Sequence, residues 1–105
     1  MLGSDWPGAA SPNPWIAIET LSTRKAPGGA GLAYADSEAI SLKEAIDLYT
    51  RSGAIEMGEP GERGTIEVGV RADLVVLDRS PFDIRLTEVP LDQDTAHDRG
   101  WPDDL

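Results

Sequence analysis

Side chains that could carry out chemistry are few in this sequence of 105 residues, which has one histidine and no cysteine. A nucleophilic triad needs a base beside its nucleophile, and the one imidazole, His97, stands in a polar tail. A complete zinc site needs three or four ligands, and several of these are usually histidines. Carboxylates are plentiful, but no two are spaced in a way that indicates a glycosidase pair. Alone, the chain lacks the groups for metal chemistry.

Asp5 is the carboxylate with two competing interpretations. It precedes Trp6 and Pro7, and a proline disfavours a helix at the residue before it. An aspartate in such a place usually bonds its own backbone in a turn, and the spacing alone favours that interpretation. A catalytic carboxylate is the alternative.

The overall charge restricts the partners of the chain. Nine Lys and Arg stand against 19 Asp and Glu, which gives a formal net charge of −10. A protein that neutralises phosphates needs clustered basic residues, so we expect neither a nucleic-acid nor a membrane partner. No apolar run approaches the ~20 residues of a membrane span, and the first residues lack the pattern of a signal peptide. We expect a cytoplasmic protein.

The first predicted helix follows from its start signal. Asn13 is typical of an N-cap, and Pro14 suits the first helical position because its missing N–H would be unpaired there anyway. Trp15, Ile18 and Leu21 recur at three-residue steps and predict one apolar stripe, with the helix continuing to about residue 24.

The second predicted helix begins with a capping box. Ser41 and Glu44 have the required spacing, and each side chain satisfies a free amide of the first turn. Apolar or aromatic residues follow at helical spacing up to Tyr49, and Gly53 is predicted to end the helix in a left-handed conformation.

A pair of strands is predicted between residues 64 and 82. Thr65 and Ile66 begin the first strand, Gly69 suits a turn, and the apolar run from Leu74 to Leu77 forms the second. A run without polar alternation indicates a strand that is covered on both faces. Because two strands alone are marginally stable in water, this pair needs partners.

Three segments together resemble the carboxyl-terminal end of a metal-dependent amidohydrolase of the YtcJ-like branch, amidohydrolase family 3. They are Gly3-Ser-Asp-Trp-Pro7, the segment from Ile40 to Thr50, and the segment from Gly64 to Asp78. The last segment is shared across the superfamily, whereas the first is typical of the branch.

The resemblance implies an α/β fragment. Residues 1–58 would form the last strand and helices of a (β/α)₈ barrel, and residues 59–91 would form the carboxyl-terminal strands of an accessory β-sandwich. Residues 92–105 read as an aberrant, disordered tail. We hypothesise a frameshift upstream of Ala96, which sequencing of the locus would test. The remaining, amino-terminal barrel portion would be needed for a stable fold.

The resemblance also implies a function. The parent family hydrolyses non-peptide carbon–nitrogen bonds of small amide-type substrates with a divalent metal, expected to be zinc. An aspartate at the end of its eighth strand lies at the metal centre and accepts a proton from the attacking water; the matching residue is Asp5, and a carboxylate suits that role. Trp6 would lie at the rim, where it would either line the substrate pocket or serve ordinary packing. Without the other ligands, the chain is expected to be inactive by itself.

A second hypothesis comes from a different class of protein. The chain would then be a small acidic binding or assembly module that completes the sheet of a partner chain by β-augmentation.

Overall fold

The computed structural model describes Leu2, Gly3, Asp5, Pro7, Gly8 and residues 11–88. Three α-helices lie within these residues: α1 spans Pro14–Thr23, α2 spans Leu42–Tyr49 and α3 spans Arg51–Glu56. Short 3₁₀ turns at Pro27–Gly29 and Asp36–Glu38 lie in the connection between α1 and α2. The predicted tail, with His97, lies outside the described residues.

Helix α1 begins where its sequence predicted. The Asn13 side chain accepts a hydrogen bond of 2.9 Å from the backbone N–H of Trp15, and Pro14 occupies the first helical position. The helix ends at Arg24, which adopts a left-handed conformation with φ of 55° and donates its N–H to the Thr20 carbonyl. The predicted start and the approximate end are both confirmed.

Helix α2 has the complete capping box. The Glu44 N–H donates to the Ser41 hydroxyl at 3.2 Å, and the Ser41 N–H donates to the Glu44 carboxylate at 2.8 Å. The prediction that Gly53 ends this helix is wrong. The chain leaves the helical conformation at Thr50, with φ of −110° and ψ of −90°, and α3 then runs through Gly53.

Thr50 bonds back to the preceding turn at the point where α2 ends. Its backbone N–H and its side-chain hydroxyl both donate to the Ile46 carbonyl, at 3.1 and 2.9 Å. A β-branched side chain that bonds back to the preceding turn commonly bends a helix. The left-handed residue that follows α3 is Gly58, with φ of 78°.

The three helices pack in chain order, α1 against α2 and α2 against α3. The buried apolar side chains among the described residues are Ile18, Ala45 and Ala54, one from each helix. Glu19, which follows Ile18 in α1, is also buried. No helix within the described part is long and apolar enough to cross a membrane.

The segment predicted as two strands forms no β ladder in the described residues. Residues 65–77 contain turns, bends and chain without regular secondary structure, and the bridges in the described part are the isolated pairs Ala26 with Ala30 and Pro60 with Arg63. Leu74, Val75 and Val76 are 52%, 77% and 78% exposed. A ladder needs a neighbouring strand, and residues 11–88 supply none, so the hairpin within a barrel and sandwich assembly stays a prediction.

Candidate active site

The backbone of Asp5 forms a tight turn. The Gly8 N–H donates to the Asp5 carbonyl at 2.7 Å, and Asp5 itself has a left-handed φ of 50°. Aspartate tolerates this region better than most residues because its short polar side chain can bond locally. A turn is therefore present at Asp5, but its hydrogen bond joins two backbone groups, whereas the sequence predicted a bond from the Asp5 side chain.

The same turn leaves the Asp5 residue exposed. Its carboxylate is accessible to dissolved molecules, and this arrangement is compatible with a proton-transferring role. Trp6, the predicted pocket residue, lies outside the described residues.

The absence of a side chain at Gly8 allows the backbone of residue 8 to approach the Asp5 carbonyl oxygen closely. A Cβ atom at this position would lie 2.8 Å from the Asp5 carbonyl oxygen, well inside van der Waals contact. The clash would be with backbone, which cannot rotate away as a side chain does. Glycine at position 8 is thus required for the conformation that Asp5 adopts.

The described residues do not make a metal site. They contain no group of three or more His, Cys, Asp or Glu side chains arranged to hold an ion. A lone carboxylate falls short of the three or four ligands of a zinc site, so Asp5 as a metal ligand does not fit a site built from these residues alone.

Two cavities lie elsewhere on the described surface, and neither is lined by Asp5. One, of about 280 Å³, lies between α3 and the following loop and includes Arg51, Arg63 and Thr65. Arg63 is already paired there, with its Nε 2.6 Å from a carboxylate oxygen of Glu59. The other, of about 340 Å³, lies along α2.

Three buried polar groups were missed by the sequence interpretation. The residue Glu19 is 1% exposed, and neither of its carboxylate oxygens has a hydrogen-bond partner in the described part of the chain. The Ser22 and Tyr49 hydroxyls are likewise buried without a partner there. Burial raises the pKa of the Tyr49 phenol, because the charged phenolate would lose its hydration.

The spacing of α1 held a signal for Glu19. Positions 15, 18, 19 and 22 recur at i, i+3, i+4 and i+7, which is the spacing of one helix face. The predicted apolar stripe followed three-residue steps only, so it did not include the carboxylate of Glu19 on that face.

Comparisons with known proteins give a consistent picture. A family model described as "Amidohydrolase family" matches residues 1–93. An N-substituted formamide deformylase from Arthrobacter pascens is 40% identical over 93 residues, which cover 84% of this chain and 16% of that relative. The chain therefore spans about a sixth of the curated relative's length. No solved structure matches the chain.

Proposed function

Because the chain belongs to the amidohydrolase family, we propose that it acts as the carboxyl-terminal part of a hydrolase that cleaves a non-peptide carbon–nitrogen bond. The observation that carries the proposal is the family match over residues 1–93. The 40% identity to a formamide deformylase points to N-substituted formamides as the first substrates to test. We place the chain in the YtcJ-like branch on its Gly-Ser-Asp-Trp-Pro segment.

Asp5 is the proposed proton-transferring residue. Its carboxylate would accept a proton at Oδ from the attacking water and return it to the leaving nitrogen, which departs as an amine. The exposed Asp5 residue and the tight turn to Gly8 support this role. Trp6 is proposed to line the substrate pocket beside it.

A divalent metal, with zinc as the expected ion, belongs to the same proposal. Since the described residues do not hold an ion by themselves, most ligands would come from a protein portion other than residues 11–88. The metal would supply the polarisation of the substrate carbonyl when bound.

The proposed architecture explains the exposed apolar run. Leu74 to Leu77 would pair with strands from the rest of the enzyme in a small β-sandwich, while residues 1–58 would close a (β/α)₈ barrel. Supporting this, Val75 and Val76 are more than three-quarters exposed although the sequence favours a covered strand. Strands from an unrelated partner chain would favour the assembly module instead.

The test of the hydrolase uses the polypeptide that carries this segment, purified through a tag at its carboxyl end and supplied with zinc. Release of amine from an N-substituted formamide is measured for the wild type and for Asp5→Asn. Asparagine also tolerates a left-handed backbone, so the turn is kept while the proton acceptor is lost. We expect a loss of about 100-fold or more in kcat.

Asp83→Asn is the matched control, because Asp83 is also an exposed aspartate. This variant should retain wild-type activity. Equal activity of wild type and Asp5→Asn would exclude the proposed role of Asp5. Wild-type turnover by the 105-residue chain alone would contradict the proposal that it is a part of the catalyst.

A further inference from the structure

Helix α1 buries a carboxylate that nothing in its surroundings satisfies. Glu19 is 1% exposed, and both of its side-chain oxygens lack a hydrogen-bond partner within the described part of the chain. A carboxyl group that is removed from water without a hydrogen-bond partner is costly in free energy. Such a group indicates a partner that arrives from elsewhere.

The hydroxyl of Ser22 lies on the same face. Residues 19 and 22 are three positions apart on α1, so their side chains are neighbours on the helix surface. The Ser22 Oγ is also buried and without a partner in the described structure. On α2, which packs against α1, the buried Tyr49 hydroxyl is unpartnered as well.

Two basic side chains of this helix pair, Arg24 and Lys43, are engaged in other contacts. Arg24 directly follows the helix, but its Nε donates to the Tyr34 carbonyl at 3.1 Å. Lys43 on α2 pairs with Asp47 at 2.6 Å. No ion pair with Glu19 is present in the described part of the chain.

We propose that Glu19 and Ser22 form an acceptor site for the guanidinium group of an arginine side chain from a partner polypeptide. A guanidinium carries two parallel N–H groups that match the two carboxylate oxygens, and its further donors suit a hydroxyl oxygen. It is also more weakly hydrated than an ammonium group, so it loses less on entering a buried place. Arginine therefore fits this site better than lysine.

Entry to the site requires a local opening of the structure around α1, because the carboxylate is enclosed. Both helices are short, with 10 and 8 residues, and short helices open locally at little cost in free energy. The net charge of −10 favours the approach of a cationic group. The inference goes beyond the hydrolase and does not depend on turnover.

The experiment titrates the 105-residue chain with methylguanidinium chloride and follows the backbone amide resonances of Glu19 and Ser22. Methylammonium chloride at the same ionic strength is the control ligand. We expect saturable shifts with methylguanidinium and an affinity for methylammonium that is about tenfold weaker or less. An equal response to both salts, or no saturable response, would overturn the site.

Variants separate the site from a general effect of salt. Glu19→Gln should weaken methylguanidinium binding about tenfold or more, because the charged acceptor is lost. Glu38→Gln, at an exposed position in the turn Asp36–Glu38, should leave binding unchanged. Binding that survives Glu19→Gln would contradict the assignment.

Glu19→Met gives a readout that needs no ligand. If the carboxylate is unpartnered in the free chain, a methionine of similar length should preserve or increase the helical circular dichroism. A loss of helix in this variant would show that Glu19 is already satisfied in the free chain, and it would overturn the inference. Failure of formamide hydrolysis with binding intact would reject the hydrolase and leave this site standing.

Discussion

The backbone conformation of Asp5 depends on its neighbour Gly8. A left-handed φ of 50° at Asp5 is kept by a backbone hydrogen bond of 2.7 Å from Gly8. The sequence indicated a turn because a proline follows so closely. It contained no comparable sign that position 8 must be glycine, since that requirement comes from the approach of two backbone segments.

Gly8→Ala should open this turn. The added Cβ would lie 2.8 Å from the Asp5 carbonyl oxygen, so the hydrogen bond from residue 8 must lengthen or break. We expect a loss of about 1 kcal/mol, or about fivefold in protection of the residue 8 amide from hydrogen exchange. Gly3→Ala is the control, because a Cβ at Gly3 meets nothing within 4 Å. Equal protection in both variants would rule out the clash.

The capping box of α2 stabilises the first turn of that helix. Ser41→Ala removes the acceptor for the Glu44 N–H and should reduce local stability by about 1 kcal/mol. Hydrogen exchange of the amides in the first turn of α2 measures this, with an expected fall of about fivefold in protection. Ser37→Ala should have no effect, since the Ser37 side chain makes no hydrogen bond in the described structure. A matching fall in Ser37→Ala would contradict a specific cap.

The same box makes α2 sensitive to acid. The hydroxyl and the backbone N–H of Ser41 both donate to the Glu44 carboxylate and lower the pKa of Glu44 below its ordinary value of 4.5. A carboxyl group with a depressed pKa contributes stability above its unfolded value, and this contribution is lost as pH falls through the folded value.

We therefore expect amide protection in the first turn of α2 to be constant above about pH 5 and to fall below pH 4.5. Glu44→Gln should show lower protection near neutral pH and a flatter profile in acid. Exchange rates corrected for the intrinsic effect of pH provide the measurement. A variant that retains the wild-type fall below pH 4.5 would assign the effect to another carboxylate.

Two glycines in the region of α3 should respond in opposite directions to alanine. Gly53 lies inside the helix and a Cβ there meets nothing within 4 Å, so Gly53→Ala should stabilise α3 by about 0.5–1 kcal/mol. Gly58 also has open space around it, but its φ is 78°, so Gly58→Ala should destabilise by about 1–2 kcal/mol. Helical circular dichroism of the two variants checks both signs. Destabilisation by Gly53→Ala would restore the sequence-based interpretation of Gly53 as a cap.

Helix starts were predictable here because their signals are local. Asn13 with Pro14 and Ser41 with Glu44 satisfy amides within the next three residues, so a few letters contain the whole interaction. The strands predicted near Leu74 are different, because a ladder depends on a partner strand that can lie far away in the sequence. The end of α2 at Thr50 was not predicted, because Gly53 is the more familiar sequence signal for the end of a helix.

For the molecule as a whole, the balance between buried and exposed apolar side chains is unusual. Among the described residues, Ile18, Ala45 and Ala54 are the buried apolar ones, whereas Ile66, Val68 and Phe82 are 87%, 107% and 63% exposed. So small a core gives little cooperativity. We expect the isolated chain to unfold over a broad temperature range, as followed by circular dichroism at 222 nm.

Binding of a hydrophobic dye to the same sample tests the exposed run directly. Fluorescence enhancement should be strong at low temperature and should fall in Val75→Lys, where a charge interrupts the run, while helical content stays unchanged. Val75 suits this test because it is 77% exposed, so its replacement disturbs little packing. A sharp transition with no dye binding would indicate that the chain folds independently.

Gly64 lies against the first residues of α3, at the beginning of the segment that carries this run. A Cβ there would stand 3.0 Å from the Thr50 carbonyl oxygen and from the Arg51 Cα, and the φ of Gly64 is 87°. Any larger residue at position 64 would therefore change the direction in which the following chain leaves the helices. Over the ten residues to Leu74, a small change in chain direction at Gly64 would grow into a displacement of several ångströms. One added methyl group at position 64 would therefore displace a segment that it does not contact.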